Sequence, residues 1–142
     1  MIINYKHLTS YAHSPVKVYK EDACFDLRAS KHITIPSKGF EVVNTEIAIR
    51  VPSCHVGFIL SRSGLAAKKG IFVLNAPGVI DAGYTGEIKI VIGNLGDDYL
   101  IERGDKVAQF MVMPIALSKM LRADNMVWDG FRGDKGFGST GY

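Results

Sequence analysis

Short runs of apolar and β-branched residues recur along this chain, separated by Gly, Pro, Asn and Ser. Residues 46–51 (Glu-Ile-Ala-Ile-Arg-Val) alternate with a period of two, as a half-buried strand does. Many short strands at such spacing predict an all-β fold, either a sandwich, a jelly roll or a barrel. The predicted strands are residues 17–19, 32–35, 40–44, 46–51, 55–60, 71–74, 78–80, 87–92, 99–101 and 106–112.

One segment departs from the strand pattern. Residues 63–69 (Ser-Gly-Leu-Ala-Ala-Lys-Lys) favour a short helix, and Gly70 is a natural C-terminal stop. The start of this helix has two interpretations. Its backbone N–H groups, with Arg62 and Ser63, could cradle a phosphate. Alternatively, Ser61 or Ser63 could cap the helix with no ligand involved.

The C-terminal stretch differs in composition from the rest of the chain. Residues 129–142 hold five glycines and almost nothing that could anchor a core. We therefore expect one domain over residues 1–128, followed by a Gly-rich tail, 129–142, that orders only against a ligand or a neighbouring chain. The tail matches G-x-G-x-x-G formally, but no helix follows, so a dinucleotide-binding fold is not indicated. Its backbone N–H groups and hydroxyls could still wrap phosphate oxygens.

Composition narrows the class of protein. The chain has 142 residues, 22% of them charged, and a net charge of +3, which is too small to indicate a nucleic-acid partner. The histidines have no zinc-ligand spacing, and Cys24 and Cys54 are expected to be reduced thiols. No signal peptide or membrane-spanning run is present in this sequence. We expect a soluble intracellular protein, in the cytoplasm or, for a viral chain, in the host cell, with no membrane partner.

Several residues are candidates for chemistry. Residues 75–87 contain apolar runs around a Gly-rich turn and predict a β-hairpin ending near Asp81 and Tyr84. Asp81 alone could be an ordinary turn residue. Asp26 lies among apolar neighbours, as a metal-shell carboxylate or the partner of an Arg. Gln109 is polar within a strand-like run, and a buried Gln needs hydrogen-bond partners.

Five short motifs together are more specific than any of them alone. They are Ala-x-x-Asp-Leu at 23–27, Arg-Ser-Gly-Leu at 62–65, Gly-Val-Ile-Asp-x-x-Tyr-x-Gly-Glu at 78–87, Gly-Asp-Lys-Val-Ala-Gln at 104–109 and Arg-Gly-x-x-Gly-Phe-Gly-Ser-Thr-Gly at 132–141. In identity, order and separation they resemble the motifs of the trimeric dUTPase family. Cys24 stands where the family usually has Gly, Phe25 where it has Tyr, and Ser61 where Pro is common.

This resemblance implies a β-jelly-roll (β-clip-like) subunit and a homotrimer with shared active sites. It also implies hydrolysis of dUTP to dUMP and pyrophosphate with Mg²⁺, which limits uracil incorporation into DNA and supplies dUMP for dTMP synthesis. Asp81 would activate the attacking water, assisted by Gln109, and Asp26 would bind the metal through water. The implied substrate-binding residues are Arg62, Ser63, Gly64, Asn75, Gly78, Ile80, Tyr84, Lys89, Arg132, Phe137, Gly138, Ser139 and Thr140.

Two other functions stay open from the sequence alone. A dCTP deaminase shares this fold, although the Asp81-Ala82-Gly83-Tyr84 pattern matches the hydrolase. A dUTPase-like regulatory or binding protein is the other alternative, and an intact set of motifs argues against lost catalysis. Release of pyrophosphate or ammonia from dUTP and dCTP separates these possibilities.

Overall fold

Antiparallel strand pairing builds the fold, and the computed structural model describes residues 1–125. The described part is all-β with a single helix, as predicted. The elements are β1 (Asn4–His7), β2 (Phe25–Arg28), β3 (Ile33–Ile35), β4 (Phe40–Asn44), β5 (Ile47–Arg50), β6 (His55–Leu60), α1 (Ser63–Lys69), β7 (Ile71–Val73), β8 (Gly78–Asp81), β9 (Lys89–Asn94), β10 (Tyr99–Ile101) and β11 (Lys106–Pro114).

The strands form four sheets around one core. The largest has the order β2-β11-β6-β8, a second has the order β4-β9-β7, and β1-β5 and β10-β3 are two-stranded. All of these sheets contribute buried Leu, Ile, Val and Phe side chains to one apolar cluster. Since removing apolar surface from water is the main stabilising term in folding, this cluster holds the layers together. None of the helices in residues 1–125 is long and apolar enough to cross a membrane.

Phe110 of β11 packs closely against β6 in the core. The Phe110 side chain is 1% exposed, and its ring lies against Gly57. A Cβ added at Gly57 would lie 2.6 Å from Phe110 Cε2 and 3.1 Å from Val51 Cγ2. Only glycine fits there without a shift of its neighbours. β11 and β6 therefore pack closely beside Gln109.

The predicted helix and its stop are confirmed, and of the two interpretations of its start, capping by Ser61 or Ser63 is not realised. Gly70 adopts a left-handed conformation (φ 67°), and its N–H bonds the carbonyl groups of the last turn. Arg62 occupies the N-cap position, and no side chain caps the helix. The Ser61 hydroxyl instead accepts a hydrogen bond from the Val73 N–H at 2.9 Å. Ser61 therefore fixes β7 to the end of β6.

Several strand predictions need correction. Residues 17–19 form no strand; the neighbouring Val16 makes only a single bridge to Asp26. The structure adds β1, whose side chains are all exposed, and β2, which carries Asp26. The predicted hairpin over residues 75–87 is wrong as well, because β8 pairs with β6 while β9 pairs with β4 and β7. Residues 82–88 cross between sheets, which lets Ile90 and Ile92 enter the core.

Candidate active site

Asp26 is a buried carboxylate with two cations against it. It lies on β2 and is 7% exposed. Lys106 Nζ lies 2.7 Å from Oδ2, and Arg62 Nε lies 3.2 Å from Oδ1. Arg62 is held in turn by donating a hydrogen bond from Nη1 to the Lys106 carbonyl at 2.9 Å. Buried charges persist when they are paired in this way. The alternative that Asp26 pairs with an Arg is thus realised.

The ion pair between Asp26 and Arg62 leaves hydrogen-bonding capacity free. Asp26 Oδ1 and Arg62 Nε are buried atoms, and neither has a hydrogen-bond partner within residues 1–125. Buried polar atoms normally find a partner, so such a pair calls for a donor or acceptor supplied from elsewhere. This is the property expected of residues that meet a hydrated ligand.

Gln109 stands directly opposite Asp26 in the pairing of β11 with β2, and opposite Leu60 in the pairing of β11 with β6. It is half-buried rather than enclosed. With Asp26 it lines a cavity of about 340 Å³, whose other walls include Tyr19, Asp22 and Cys24. The side-chain amide therefore has an open space beside the carboxylate.

Cys24 belongs to the wall of this cavity and not to its chemistry. Burial raises the pKa of the Cys24 thiol above its ordinary value, despite the opposing effect of Lys17. The thiol is consequently protonated at neutral pH and is a poor nucleophile. Both Cys24 and Cys54 are free, as predicted, although Cys54 is exposed.

Ser63 and Gly64 begin the helix next to Arg62 and are exposed. Nothing lies within 4 Å of the position that a Cβ on Gly64 would occupy. The first N–H groups of a helix have no partner within the helix, and no side chain caps them here. Arg62, Ser63 and Gly64 thus present positive charge and backbone donors to an open space near Asp26.

Asp81 ends β8 and is exposed. It pairs with Val56, at the start of β6, and forms no ion pair with any residue from 1 to 125. The Tyr84 N–H donates to the Asp81 carbonyl at 3.0 Å and closes a turn. The carboxylate therefore stands at a turn, open to a ligand.

Four other predicted binding residues lie in β8, just before it, or at the start of β9, and Gly78 pairs with Ile59 near the Leu60 end of β6. Gly78 is buried against Ile59, and a Cβ there would lie 3.2 Å from Ile59 Cβ and 3.5 Å from Asn75 Nδ2. Asn75 is exposed, and Ile80 packs partly against the core. Lys89 is exposed, with its Nζ 3.8 Å from Glu87 Oε2.

Tyr84 is partly free, with 44% of the residue exposed. Its hydroxyl donates to the Glu87 carbonyl at 2.8 Å. It lines a cavity of about 530 Å³ between β1, β5 and the turn 82–85. The hydroxyl end of the side chain is thus fixed to the main chain, while the exposed part of the ring can contact a ligand.

Within one chain, Asp81 lies apart from the predicted residues around Asp26. Asp26, Arg62, Ser63, Gly64 and Gln109 gather near the Leu60 end of β6. Asp81 pairs at the Val56 end, four residues or about 13 Å away along the strand. Arg132, Phe137, Gly138, Ser139 and Thr140 lie outside the described residues.

Two contributing residues were not predicted from the sequence, Lys106 and Glu87. Lys106 is closer to Asp26 than Arg62 is, and it reaches it where the register of β11 shifts between Lys106 and Ala108. The only indication of this role in the sequence is that Lys106 belongs to the fourth motif. Glu87 is the last residue of the third motif, and its carboxylate accepts hydrogen bonds from Asn44 and from the Glu46 N–H. Among residues 1–125, no group of three or more His, Cys, Asp and Glu side chains could hold a metal ion directly.

Comparison with known proteins gives consistent matches. The family model for dUTPase matches residues 10–141. A deoxyuridine 5'-triphosphate nucleotidohydrolase of Tropheryma whipplei (strain Twist) is 41% identical over 131 residues, covering 91% of this chain and 89% of that protein. The protein of the same name from Clostridium novyi (strain NT) is 40% identical over 128 residues, covering 89% of each.

Solved structures agree with the fold. The dUTPase of Staphylococcus bacteriophage 80alpha, solved with dUPNHPP, superposes with a TM-score of 0.92 and 27% identity over 99% of each chain. A mutant dUTPase from phage phi11 of S. aureus, described for its coordination of a structural Mg(II) ion, has a TM-score of 0.82 and 24% identity. It covers 88% of this chain and 98% of its own.

Proposed function

The chain belongs to the dUTPase family and hydrolyses dUTP to dUMP and pyrophosphate, and we propose that Asp81 activates the water that attacks the α-phosphorus. The observation that carries this assignment is the state of the carboxylate. Asp81 is exposed at a strand end and has no ion-pair partner among residues 1–125. Asp26, by contrast, is buried between two cations and is a poor candidate for a base.

Asp81 works by holding the water and taking its proton. As the water oxygen bonds to the α-phosphorus, a proton passes to the carboxylate. The bond from the α-phosphorus to the oxygen bridging to the β-phosphorus breaks, and pyrophosphate leaves. Carboxylates are weak bases, so most of the benefit comes from positioning. Gln109, whose amide lines the open cavity beside Asp26, holds the water and the α-phosphate from the other side.

Arg62, Ser63 and Gly64 hold the phosphates. The support is their common position: a guanidinium, an exposed hydroxyl and uncapped backbone N–H groups around an empty space. Charge-assisted hydrogen bonds of this type are stronger than neutral ones. Donors fixed in advance also stabilise the charge that develops on the phosphorus in the transition state.

Asp26 would hold a magnesium ion through the waters bound to that ion. Its Oδ1 atom is buried without a hydrogen-bond partner in the described chain, and a water of a hydrated cation could donate to it. Lys106 and Arg62 already neutralise the carboxylate, which favours contact through water over direct ligation. Magnesium keeps several of its waters and, when bound, neutralises charge on the triphosphate oxygens.

The uracil and the sugar are selected by residues in and beside β8. β8 is the edge strand of its sheet, so one side of its backbone can present N–H and C=O groups to a base, with Gly78, Ile80 and Asn75 beside them. Cytosine reverses two positions of the uracil pattern, which strands polar groups at a cost of about 1–3 kcal/mol each. Tyr84 packs on the deoxyribose and excludes a 2′-hydroxyl. Lys89, which is exposed, contributes a further contact to the substrate.

Asp81 and Gln109 meet when three copies of the chain assemble. A nucleotide must contact Asp81 and Gln109 at once, yet these lie at opposite ends of β6 in one chain. A homotrimer resolves this if Asp81 of one subunit faces Gln109 of another. Arg132, Phe137, Gly138, Ser139 and Thr140 then close the site, with Phe137 on the base and the others on the γ-phosphate. This part of the proposal comes from their match to the family's fifth motif.

One assay tests the assignment of the activity. Purified protein is incubated with magnesium and either dUTP or dCTP, and pyrophosphate and ammonia are measured separately. We expect pyrophosphate from dUTP, little from dCTP and no ammonia from either. Ammonia release would indicate a deaminase. Release of neither pyrophosphate nor ammonia would indicate a binding protein.

A further inference from the structure

The Tyr84 ring is positioned by a residue outside the proposed substrate contacts. Its hydroxyl donates to the Glu87 carbonyl at 2.8 Å. The intervening Gly86 allows the ring to lie close to the chain, since a Cβ there would come within 2.6 Å of the hydroxyl oxygen. The height of the ring above the chain therefore depends on where the Glu87 carbonyl is held.

The Glu87 side chain is anchored on the far side of this carbonyl. Its carboxylate accepts hydrogen bonds from Asn44 Nδ2 at 3.0 and 3.1 Å and from the Glu46 N–H at 2.9 Å. The side chain is 17% exposed. These bonds tie the segment before β9 to the connection between β4 and β5, next to the pairing of Asn44 with Lys89.

The anchor itself is rigid. Glu46 is a non-glycine residue with φ 55°, in the left-handed region, and it is 6% exposed. Such a backbone persists only where its surroundings hold it. Here the Glu46 carboxylate binds Lys31 Nζ at 2.9 Å and accepts a hydrogen bond from the Thr9 hydroxyl. The N–H that Glu46 offers to Glu87 is consequently fixed in direction.

We infer that Glu87 is a positioning residue that sets the sugar selectivity of the enzyme, an inference that rests on the proposed place of Tyr84 at the deoxyribose. The carboxylate holds the Glu87 main chain, the main chain holds the Tyr84 hydroxyl, and the ring is kept where it meets a 2′-hydroxyl. Small displacements of a positioning group have large effects on rate. A ring released from this anchor can move aside and admit a ribose.

The test compares variants of Glu87 with a matched control. Glu87→Ala removes all three hydrogen bonds, whereas Glu87→Gln keeps an oxygen able to accept two of them. Glu41→Ala removes an exposed acid from β4 and is the control. For each protein kcat and KM are measured with dUTP and with UTP, together with the melting temperature Tm.

We expect Glu87→Ala to lower the ratio of kcat/KM for dUTP to that for UTP by about tenfold or more, mainly by improving UTP turnover. Glu87→Gln should stay within about threefold of the wild-type ratio, and Glu41→Ala should match the wild type. A purely structural role for Glu87 would lower both activities and Tm together and leave the ratio unchanged.

A double-mutant cycle tests the route from Glu87 to the ring. Tyr84→Phe removes the hydroxyl, so it should lower the ratio by itself, and adding Glu87→Ala should lower it no further. Effects that add independently would overturn the inference, because they would mean that Glu87 acts by another path. If Glu87→Ala does not fold, Asn44→Ala removes two of the three bonds and carries the same expectation.

The possible results distinguish the role of Glu87 from the hydrolysis of dUTP and from the role of Tyr84. Wild-type protein that prefers dUTP, with Glu87→Ala equally selective, overturns the inference and leaves the activity intact. Wild-type protein that hydrolyses UTP as well as dUTP overturns both the role of Tyr84 and this inference. Wild-type protein without dUTP hydrolysis overturns the activity itself, and the inference with it.

Discussion

Asp81 and Gln109 lie on the same four-stranded sheet but at opposite ends of strand β6, about 13 Å apart along it. If both act on one nucleotide, they act from different subunits. Mixing two inactive proteins, Asp81→Asn and Gln109→Ala, after dissociation and reassembly should then restore activity.

Random assembly of a shared site places the two intact groups together in about one site in four, so about a quarter of wild-type activity is expected. The measurement is pyrophosphate release before and after mixing, with the mass of the assembly checked by light scattering. Each variant alone is the control. No recovery in mixtures of confirmed trimers would mean that each site uses one chain.

Replacing Asp81 by Asn should affect turnover far more than binding. The amide keeps the size of the side chain but cannot accept the proton from the water. We expect kcat to fall by about 10²–10⁴ with a small change in KM, measured by steady-state kinetics with dUTP. Asp97→Asn, at an exposed position of the β9–β10 connection, should have no effect. A loss smaller than about tenfold at Asp81 would rule out its role as the base.

Two glycines should respond to alanine in opposite ways. Gly57→Ala forces a methyl group against the Phe110 ring, so we expect a loss of about 1–3 kcal/mol in the free energy of unfolding. Gly64→Ala has open space within α1 and should gain up to about 1 kcal/mol of stability.

The activity of the Gly64→Ala variant tests the proposed phosphate site. Gly64→Ala should bind dUTP more weakly in spite of its greater stability, because the methyl group enters the space proposed for phosphate. Denaturant unfolding and KM for dUTP measure the two effects. An unchanged KM would remove Gly64 from the binding site.

The ionised Glu46 carboxylate should stabilise the folded protein at neutral pH and lose this effect in acid. The hydrogen bond from Thr9, followed by the Lys31 contact, lowers the pKa of Glu46 below its ordinary value of 4.5. A carboxylate with a lowered folded-state pKa stabilises the fold above its unfolded pKa, and this stability is lost as pH falls through the folded pKa. Glu46→Gln should therefore lower Tm at pH 7, and the difference from wild type should shrink as the pH falls below 4.5.

Thermal melts from neutral to acidic pH test this, with Glu41→Gln as an exposed control. A difference in Tm that stays constant down to the most acidic stable condition would mean that the Glu46 charge is not the cause.

Deleting residues 130–142 should separate folding from catalysis. The deleted stretch is rich in glycine and poor in apolar residues, so Tm and trimer formation should stay close to wild type. By contrast, kcat/KM for dUTP should fall steeply, since Arg132 and Phe137 are removed. A truncated protein that keeps most of its kcat/KM would overturn the proposed role of the fifth motif.

Sequence patterns predicted the fold well where a strand or helix carries its own periodicity. Residues 40–44, 55–60 and 99–101 match β4, β6 and β10, and Gly70 ends α1 as expected. β1 could not be found this way, because Asn-Tyr-Lys-His has no apolar face and is a strand only through pairing with β5. The hairpin prediction failed for a related reason. A Gly-rich turn looks alike whether it joins neighbouring strands or crosses between sheets.

Within the site, the sequence identified Asp26, Asp81 and Gln109 but not how they are held. The contact of Lys106 with Asp26 depends on a shift in strand register, and register is set by pairing between distant segments. The anchor of Glu87 similarly joins residues more than forty positions apart. Such relationships have no local signature in the sequence.

The pairing of β2 with β11 has a consequence for biosynthesis. Asp26 and Gln109 become neighbours only once β11 has left the ribosome, so the main sheet cannot close on a chain that stops before β11. Long-range antiparallel pairings of this kind form slowly, and unpaired edges are prone to aggregate meanwhile. Premature termination anywhere before β11 should thus yield fragments that quality-control proteases remove, with no partly active product.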